Sequence, residues 1–280
     1  MPKKRSESKF WNTINYILSS PSKGVIESTR LLETHISNSK SVNKIESPEG
    51  SKKSSPHVKR PESPEPVLSN LKVEKKITGD YSKFKSHLNT ESKIVLIFGK
   101  RGSGKSALGL RIMENIKSET ERSCYTIGIS EKLLPSWIST IENIDEADSG
   151  SIILIDEGAI SFSSRESMKS TNKELSKIMA IARHKNLTLL FITQNTGMID
   201  KNVLKLTDSL MIKEGSLLQQ EMERPEIKKF YLKSQELINK VKDKKIKYFY
   251  LIDSDFEGIL EHTLPSFWSQ EISKNKSQFQ

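Results

Sequence analysis

The stretch that decides the fold is IVLIFGKRGSGKS, residues 94–106. Its first part is a continuous apolar run, which is typical of a strand that is buried on both faces. The run passes into G-x-x-x-x-G-K-S, in which the glycines let the backbone curl with its N–H groups inward before a helix begins. Inward N–H groups and a helix N-terminus attract anions. The sequence therefore predicts a phosphate-binding loop between a strand and a helix.

The loop is a candidate binding site for a nucleoside triphosphate. Lys105 can reach the β- and γ-phosphates, and Ser106 can offer its hydroxyl to Mg²⁺. We therefore expect ATP and Mg²⁺ as the bound species. The candidate phosphate-binding residues are Gly99, Lys100, Arg101, Gly102, Ser103, Gly104, Lys105 and Ser106.

A second apolar run, Ile152–Ile155, ends in the acidic pair Asp156 and Glu157. Ligands of an open parallel sheet bind beyond the carboxyl ends of its strands, so this pair is expected at the same edge as the loop. Asp156 is a candidate Mg²⁺ ligand, and Glu157 is a candidate base that activates the attacking water. The alternative is a helix N-cap or a solvated turn. We expect the strand Tyr125–Ile129 to be inserted between the loop strand and the acidic strand.

The block RHKNLTLLFITQN, residues 183–195, predicts a helix end followed by a third informative strand. Gln194 follows that strand, and its amide can hold the attacking water or sense the γ-phosphate. The alternative is a polar residue that simply leaves a strand. Arg183 either caps its helix or pairs with an acid, or it reaches the nucleotide of a neighbouring subunit as an arginine finger.

From about Lys93 onward, apolar runs alternate with helical stretches, which indicates an α/β fold with a mainly parallel sheet flanked by helices. The predicted strands are Ile94–Phe98, Tyr125–Ile129, Ile152–Ile155, Leu187–Thr193, Ser209–Ile212 and Ile246–Ile252, and the predicted helices lie near 105–117, 131–142, 171–184, 199–206 and 226–241. We expect a P-loop NTPase domain of the additional-strand type over residues 81–265, followed by a C-terminal tail over 266–280.

The segment before this domain has a different composition. Residues 1–36 carry a modest amphipathic pattern and are predicted to form a short helical arm. Residues 37–80 are predicted to be a disordered linker, because a stretch rich in Ser, Pro, Lys and Glu cannot bury enough apolar surface to offset its ordering entropy. The chain has a net charge of +10, and residues 1–92 hold 17 Lys/Arg against 10 Asp/Glu. The basic segment of residues 1–92 either binds nucleic acid or is a solvated extension.

The same chain lacks signals for a membrane or secreted protein. No apolar run approaches the roughly 20 residues that a membrane-spanning helix needs. The single cysteine, Cys124, excludes an intramolecular disulfide. We therefore expect a cytoplasmic location, in a cell or an infected host cell.

The loop, the acidic pair and the 183–195 block together resemble the FtsK–HerA superfamily of ring-forming, DNA-pumping ATPases. The likeness extends roughly over residues 93–255, and it is strongest to viral genome-packaging ATPases and to zonular-occludens-toxin-like phage assembly ATPases. Two positions depart from the family pattern: Asn195 stands where Arg or Pro is frequent, and Asn186 stands where Gly is frequent. Asn186 can nevertheless adopt a left-handed turn.

This resemblance implies roles for the candidate residues and a function for the chain. Lys105 and Ser106 would bind phosphate and Mg²⁺, Asp156 would coordinate Mg²⁺, Glu157 would activate water, and Gln194 would sense the γ-phosphate. The implied assembly is a homo-oligomer, a hexameric ring that moves or packages double-stranded DNA. The alternatives are an ATPase that drives phage or filament assembly or export, and a slow ATP-dependent switch or scaffold.

A basic region near the C-terminal end of the domain has two interpretations. It could line the pore of a ring and meet DNA phosphates, or it could be a solvated helix face whose charges are balanced by Glu and Asp. Its lysines are Lys228, Lys229, Lys233, Lys240, Lys242, Lys244, Lys245 and Lys247.

Overall fold

The computed structural model describes residues 64–156, 177–194, 204–216, 221, 223, 225–241 and 245–274. The chain divides into two units, Met1–Val58 and Lys59–Gln280, and all described residues belong to the second. The predicted helical arm over 1–36 and most of the predicted linker therefore lie outside the described residues. The same holds for Glu157, for residues 171–176 of the helix predicted near 171–184, and for most of the helix predicted near 199–206.

The described residues form one nine-stranded sheet with helices on both faces. Its strands are β1 (Lys72–Gly79), β2 (Ile94–Phe98), β3 (Cys124–Ile127), β4 (Ile138–Thr140), β5 (Ile152–Asp156), β6 (Thr188–Thr193), β7 (Ser209–Ile212), β8 (Tyr248–Ile252) and β9 (Phe256–Glu261). Their order is β1-β9-β8-β7-β2-β6-β5-β3-β4. The run from β7 to β4 is parallel, and β8, β9 and β1 are antiparallel to their neighbours. The predicted mainly parallel α/β fold is confirmed.

Helices cover the two faces of this sheet. They are α1 (Tyr81–Thr90), α2 (Lys105–Glu119), α3 (177–184 within the described residues), α4 (Pro225–Asn239) and α5 (Gln270–Lys274). On one face, Leu108 and Ile112 of α2 join the apolar cluster that contains Val95. On the other face, Tyr231 of α4 stacks on Phe98 with ring centroids 6.2 Å apart. The central strands are therefore apolar on both sides, which explains their uninterrupted apolar sequences.

The strand inserted between the loop strand and the acidic strand is β6, so the assignment of Tyr125–Ile129 to that position was wrong. The strand in that segment, β3, pairs with the far side of β5. Burial explains the difference: every residue of β6 is buried, whereas buried and half-buried residues alternate along β3. A strand that is apolar on both faces suits the centre of a sheet, and an alternating one suits its margin.

The predicted linker boundary at residue 80 was also wrong, because Lys72–Gly79 forms β1 and pairs with β9. β1 lies at the edge of the sheet, with Val73 and Ile77 turned towards the core clusters. Lysines on its exposed positions are typical of an edge strand that is protected against pairing with other chains. These lysines and the neighbouring Ser/Pro-rich segment made the strand resemble a linker.

Two further boundaries differ from the predictions. The segment predicted as a helix over 131–142 contains a 3₁₀ turn at Glu131–Leu133 and then β4. Pro135 lies between them, and proline lacks the N–H group that a helix interior requires. Residues predicted as a tail from 266 pack on the domain, since Phe267 and Trp268 contact the core cluster under α2.

Candidate phosphate-binding site

The predicted loop lies between β2 and α2, as its sequence required. Gly99 has φ 151° and Gly104, the N-cap of α2, has φ 85°. A Cβ atom at Gly99 would lie 2.8 Å from Lys213 Cβ, and one at Gly104 would lie 3.2 Å from Ile246 Cγ1. Both positions therefore need glycine, for conformation and for space. The loop is further held by the N–H of Lys100, which donates to the carbonyl of Glu214 at 2.9 Å.

Lys105 places its ammonium group at the loop. Its Nζ donates to the carbonyl oxygens of Gly99 and Lys100, each at 2.9 Å, and the residue is buried. The first turn of α2 contains no acidic residue, so no side chain there neutralises the positive end of the helix dipole. The lysine and the helix N-terminus thus place positive charge at the loop, which is the charge that the predicted anion-binding site requires.

Ser106 and Asp156 face each other across the sheet edge. Ser106 Oγ donates to Asp156 Oδ2 at 3.5 Å, and Asp156 is buried as the last residue of β5. Oxygen donors of this type are the ligands that Mg²⁺ prefers, and Mg²⁺ sites in phosphate-transfer proteins often use few protein ligands together with phosphates and waters. Within the described part of the chain, no group of three or more His, Cys, Asp or Glu side chains could hold a metal. A magnesium site here would therefore follow the hydroxyl-plus-carboxylate pattern.

Gln194 lies at the same edge of the sheet. Phe98 of β2 pairs with Thr193 of β6, and Gly99 and Gln194 are the residues that follow each of them. Asp156 of β5 pairs with Ile192 on the other side of β6. The ends of β2, β6 and β5 therefore bring the loop, Gln194 and Asp156 together. Gln194 is partly exposed at this edge.

Arg183 is not brought to this site within its own chain. It is exposed at the end of α3, and its Nη2 donates to the carbonyl of Leu206 at 3.2 Å. Both residues precede the amino ends of parallel strands, so they lie at the opposite edge of the sheet from the loop. Asn186, in the turn between α3 and β6, has φ 56°, which confirms the predicted left-handed conformation.

One wall of the site was missed by the sequence interpretation. A cavity of about 790 Å³ opens beside the loop, and its far side comes from the segment that includes β9 and the residues after it. Its lining residues beyond the loop and α2 are Ile246, Lys247, Glu261, His262, Thr263, Leu264 and Trp268. These residues fit no local motif. Trp268 contacts the core and also borders this cavity.

A comparison with known protein families identifies the family of this chain. The family model of the zonular occludens toxin (Zot) matches residues 107–247, which are 141 of the 280 residues, just over half of the chain. The chain belongs to the Zot family. The matched segment begins directly after Ser106 and includes Asp156, Glu157, Arg183 and Gln194. The resemblance to zonular-occludens-toxin-like ATPases that the sequence indicated is confirmed.

Several solved structures are similar to this Zot-family chain. The genome-packaging NTPase B204 from Sulfolobus turreted icosahedral virus 2 is 18% identical with a TM-score of 0.42, covering 61% of this chain and 98% of B204. The N-terminal domain of zonular occludens toxin from Neisseria meningitidis is 16% identical with a TM-score of 0.35, and the match covers 66% of this chain and 98% of that domain. The pCW3 conjugation coupling protein TcpA is 12% identical with a TM-score of 0.44, and the match covers 69% of this chain and 66% of the TcpA chain. No curated protein matches the chain.

The described residues contain no helix that combines the length and the apolar character needed to cross a membrane.

Proposed function

We propose that this chain binds ATP with Mg²⁺ at the loop and hydrolyses the β–γ anhydride, in the cytoplasm of a cell or of an infected host cell. The observation that carries this proposal is the convergence of three adjacent strand ends. β2 leads to Lys105 and Ser106, β5 ends in Asp156, and β6 leads to Gln194. A cation, a pair of oxygen donors and an amide therefore lie at one edge of the sheet.

The residues fit a triphosphate and Mg²⁺ in their chemistry. Ser103 Oγ is buried without a hydrogen-bond partner among the described residues. A phosphate oxygen in the loop would offer such a hydroxyl an acceptor. The glycine positions leave space where side chains would fill the loop, and Ser106 with Asp156 supplies hard oxygen ligands.

The catalytic roles that we propose rest on these positions and, for Glu157, on its place after Asp156 in the sequence. Lys105 neutralises charge on the β- and γ-phosphates. Glu157 follows the Mg²⁺-binding Asp156 and accepts a proton from the attacking water while the water oxygen bonds to the γ-phosphorus and the bridging oxygen leaves with the diphosphate. Gln194 orients that water through its amide. Ser106 and Asp156 would hold Mg²⁺, which would supply positive charge against the charge that develops on the phosphates.

The proposed assembly is a hexameric ring, by analogy with the superfamily that the sequence resembles. Arg183 supports action between subunits, because it is exposed and lies at the edge of the sheet opposite its own loop. In a ring, such an arginine can contact the nucleotide that is bound to a neighbouring subunit. Arginine fingers contribute roughly 10³–10⁵ in rate where they act.

We propose that ATP hydrolysis drives the movement or packaging of double-stranded DNA. The net charge of +10 favours an anionic partner. Two lysines of α4 do not add to this argument, because they pair with acids within the chain. Lys228 contacts Glu221 at 3.5 Å, and Lys233 contacts Glu257 at 2.5 Å. This pattern is that of a solvated helix face.

The family match favours a second candidate function, an ATPase that drives phage or filament assembly or export. The two candidates share the nucleotide chemistry and differ in the partner that stimulates it. The experiment is to measure ATP turnover and oligomer size with and without double-stranded DNA over a series of salt concentrations. DNA translocation predicts stimulation that weakens with salt. Equal turnover with and without DNA by a monomeric protein would refute translocation and leave the second candidate.

A further inference from the structure

A second buried lysine lies directly behind the loop. Lys213 follows β7 and is fully buried. Its backbone N–H donates to the carbonyl of Phe98 at 2.8 Å, so the residue is fixed beside the end of the loop strand. Its Nζ donates to the carbonyl of Ile246 at 2.5 Å and contacts His262 Nε2 at 2.8 Å. A buried ammonium group is costly without such partners, so this position calls for an explanation beyond packing.

Lys213 lies against the first end of the loop and is linked to its second end through Ile246. At the first end, its Cβ lies so close to Gly99 that a side chain there could not fit. At the second end it acts through Ile246, whose side chain and carbonyl oxygen pack against Gly104. The residue after it, Glu214, accepts the N–H of Lys100. The Cβ of Lys213 thus packs at Gly99, and its Nζ is connected to Gly104 through Ile246.

His262 joins this lysine to the cavity beside the loop. His262 lines that cavity and is 4% exposed. Its Nδ1 lies 3.0 Å from the carbonyl of Thr263, which can only accept, so Nδ1 carries the proton and Nε2 accepts from Lys213. The histidine is therefore neutral in this arrangement. Burial first, and then the charge of Lys213, lower the pKa of His262 to about 3.

The charged groups around Lys213 decide its protonation. Lys105 on α2 repels the ammonium form of Lys213, whereas Glu214 attracts it. Neutral His262 accepts a hydrogen bond from Lys213 Nζ, and the charge of Arg111 on α2 contributes to the lowered pKa of His262. Burial first, and then the charge of Lys105, lower the pKa of Lys213 to about 7. A polyanion bound in the loop would reverse this balance, since it would screen Lys105 and favour positive charge behind the loop.

We propose that Lys213 is a positioning residue of the phosphate site, and that binding of a nucleoside triphosphate at the loop draws a proton from solvent onto Lys213 Nζ. The ammonium group then holds the carbonyl of Ile246 and the ring of His262, and through Ile246 it fixes Gly104 at the loop. This inference rests on the proposed nucleotide binding. By linkage, nucleotide affinity falls as the pH rises above about 7, by no more than about tenfold per pH unit.

The test is calorimetry of the full chain with a non-hydrolysable ATP analogue and Mg²⁺ at pH 6 and pH 8, in two buffers of different ionisation enthalpy. The difference in binding enthalpy between the buffers gives the protons taken up. We expect uptake at pH 8 that approaches one proton per nucleotide, and much less at pH 6, where Lys213 is already protonated. Wild-type uptake that does not increase from pH 6 to pH 8 would overturn the proposal.

Variants assign the proton to this residue. Lys213→Met and Lys213→Arg should both lose the extra uptake at pH 8, and Lys213→Arg, which stays charged, should retain more affinity than Lys213→Met. Lys240→Met, at an exposed lysine that follows α4 and pairs with Glu236, should behave as wild type. The same uptake in wild type and in either Lys213 variant would overturn the proposal. Absence of any nucleotide binding by the wild type would instead refute the proposed function.

Discussion

Ser106 Oγ donates to Asp156 Oδ2 at 3.5 Å, although 50 positions separate the two residues in sequence. The contact exists because β5 and β2 run parallel on either side of β6, so that their carboxyl ends meet at one edge. A hydroxyl at the start of a helix and a carboxylate at the end of a strand thereby lie where they would serve as the joint ligands of the proposed Mg²⁺.

We predict that Ser106→Ala raises the Mg²⁺ concentration needed for ATP turnover, since it removes one of the two proposed oxygen ligands. The measurement is a Mg²⁺ titration of ATP hydrolysis. Ser118→Ala is the matched control, because Ser118 lies on the same helix and donates to the carbonyl of Asn115. An unchanged Mg²⁺ requirement in Ser106→Ala would exclude the serine from the metal site.

Glu157→Gln should retain ATP binding and lose turnover by a factor of about 10²–10⁴, which is the usual contribution of a general base. The two properties are measured separately, as nucleotide affinity by calorimetry and as phosphate release under saturating ATP. Turnover at the wild-type rate would remove Glu157 from the mechanism.

Arg183→Ala subunits mixed with wild-type subunits should inhibit turnover by more than their share of the mixture. Within its own chain, the exposed guanidinium of Arg183 contacts a carbonyl far from the loop, so the substitution should leave folding intact. His184→Ala, at the neighbouring exposed position, is the control. A loss of turnover that is strictly proportional to the variant fraction would argue against action between subunits.

Stability should fall in acid because of His262. The pKa of His262 is lowered to about 3 in the folded chain, from an ordinary value of 6.5. Between these values the unfolded chain binds the proton and the folded chain does not, so stability is lost as the pH falls below 6.5. The loss amounts to up to about 2 kcal/mol at pH 5. Urea unfolding at pH 7 and pH 5 measures it.

His262→Gln should show a smaller difference between these two pH values, because glutamine does not titrate and its amide oxygen can still accept from Lys213. An equal pH dependence in the wild type and the variant would contradict the assigned origin of the effect.

Local patterns carried most of the successful sequence predictions. The loop and its flanking elements were predictable because a buried strand, a glycine-rich turn and a helix start follow one another without interruption. The edge position of Asp156 and Gln194 was predictable because parallel strands place their carboxyl ends together. The role of Glu157 stays a prediction, since it lies outside the described residues.

Features that depend on distant partners were not predictable. Chain order does not say which strand lies at the centre of a sheet, so β6 and β3 were exchanged. β1 became a strand only because β9, itself not predicted, offered it a partner. Lys213 and His262 contact each other although 49 positions separate them, and no motif marks either residue.

The affinity of the wild-type chain and of Lys105→Ala for a non-hydrolysable ATP analogue with Mg²⁺ tests the central claim most directly. The account predicts that the wild type binds and that Lys105→Ala loses most of that affinity, while Lys240→Met binds as the wild type does. Equal binding by the wild type and Lys105→Ala, or no binding by either, would contradict it.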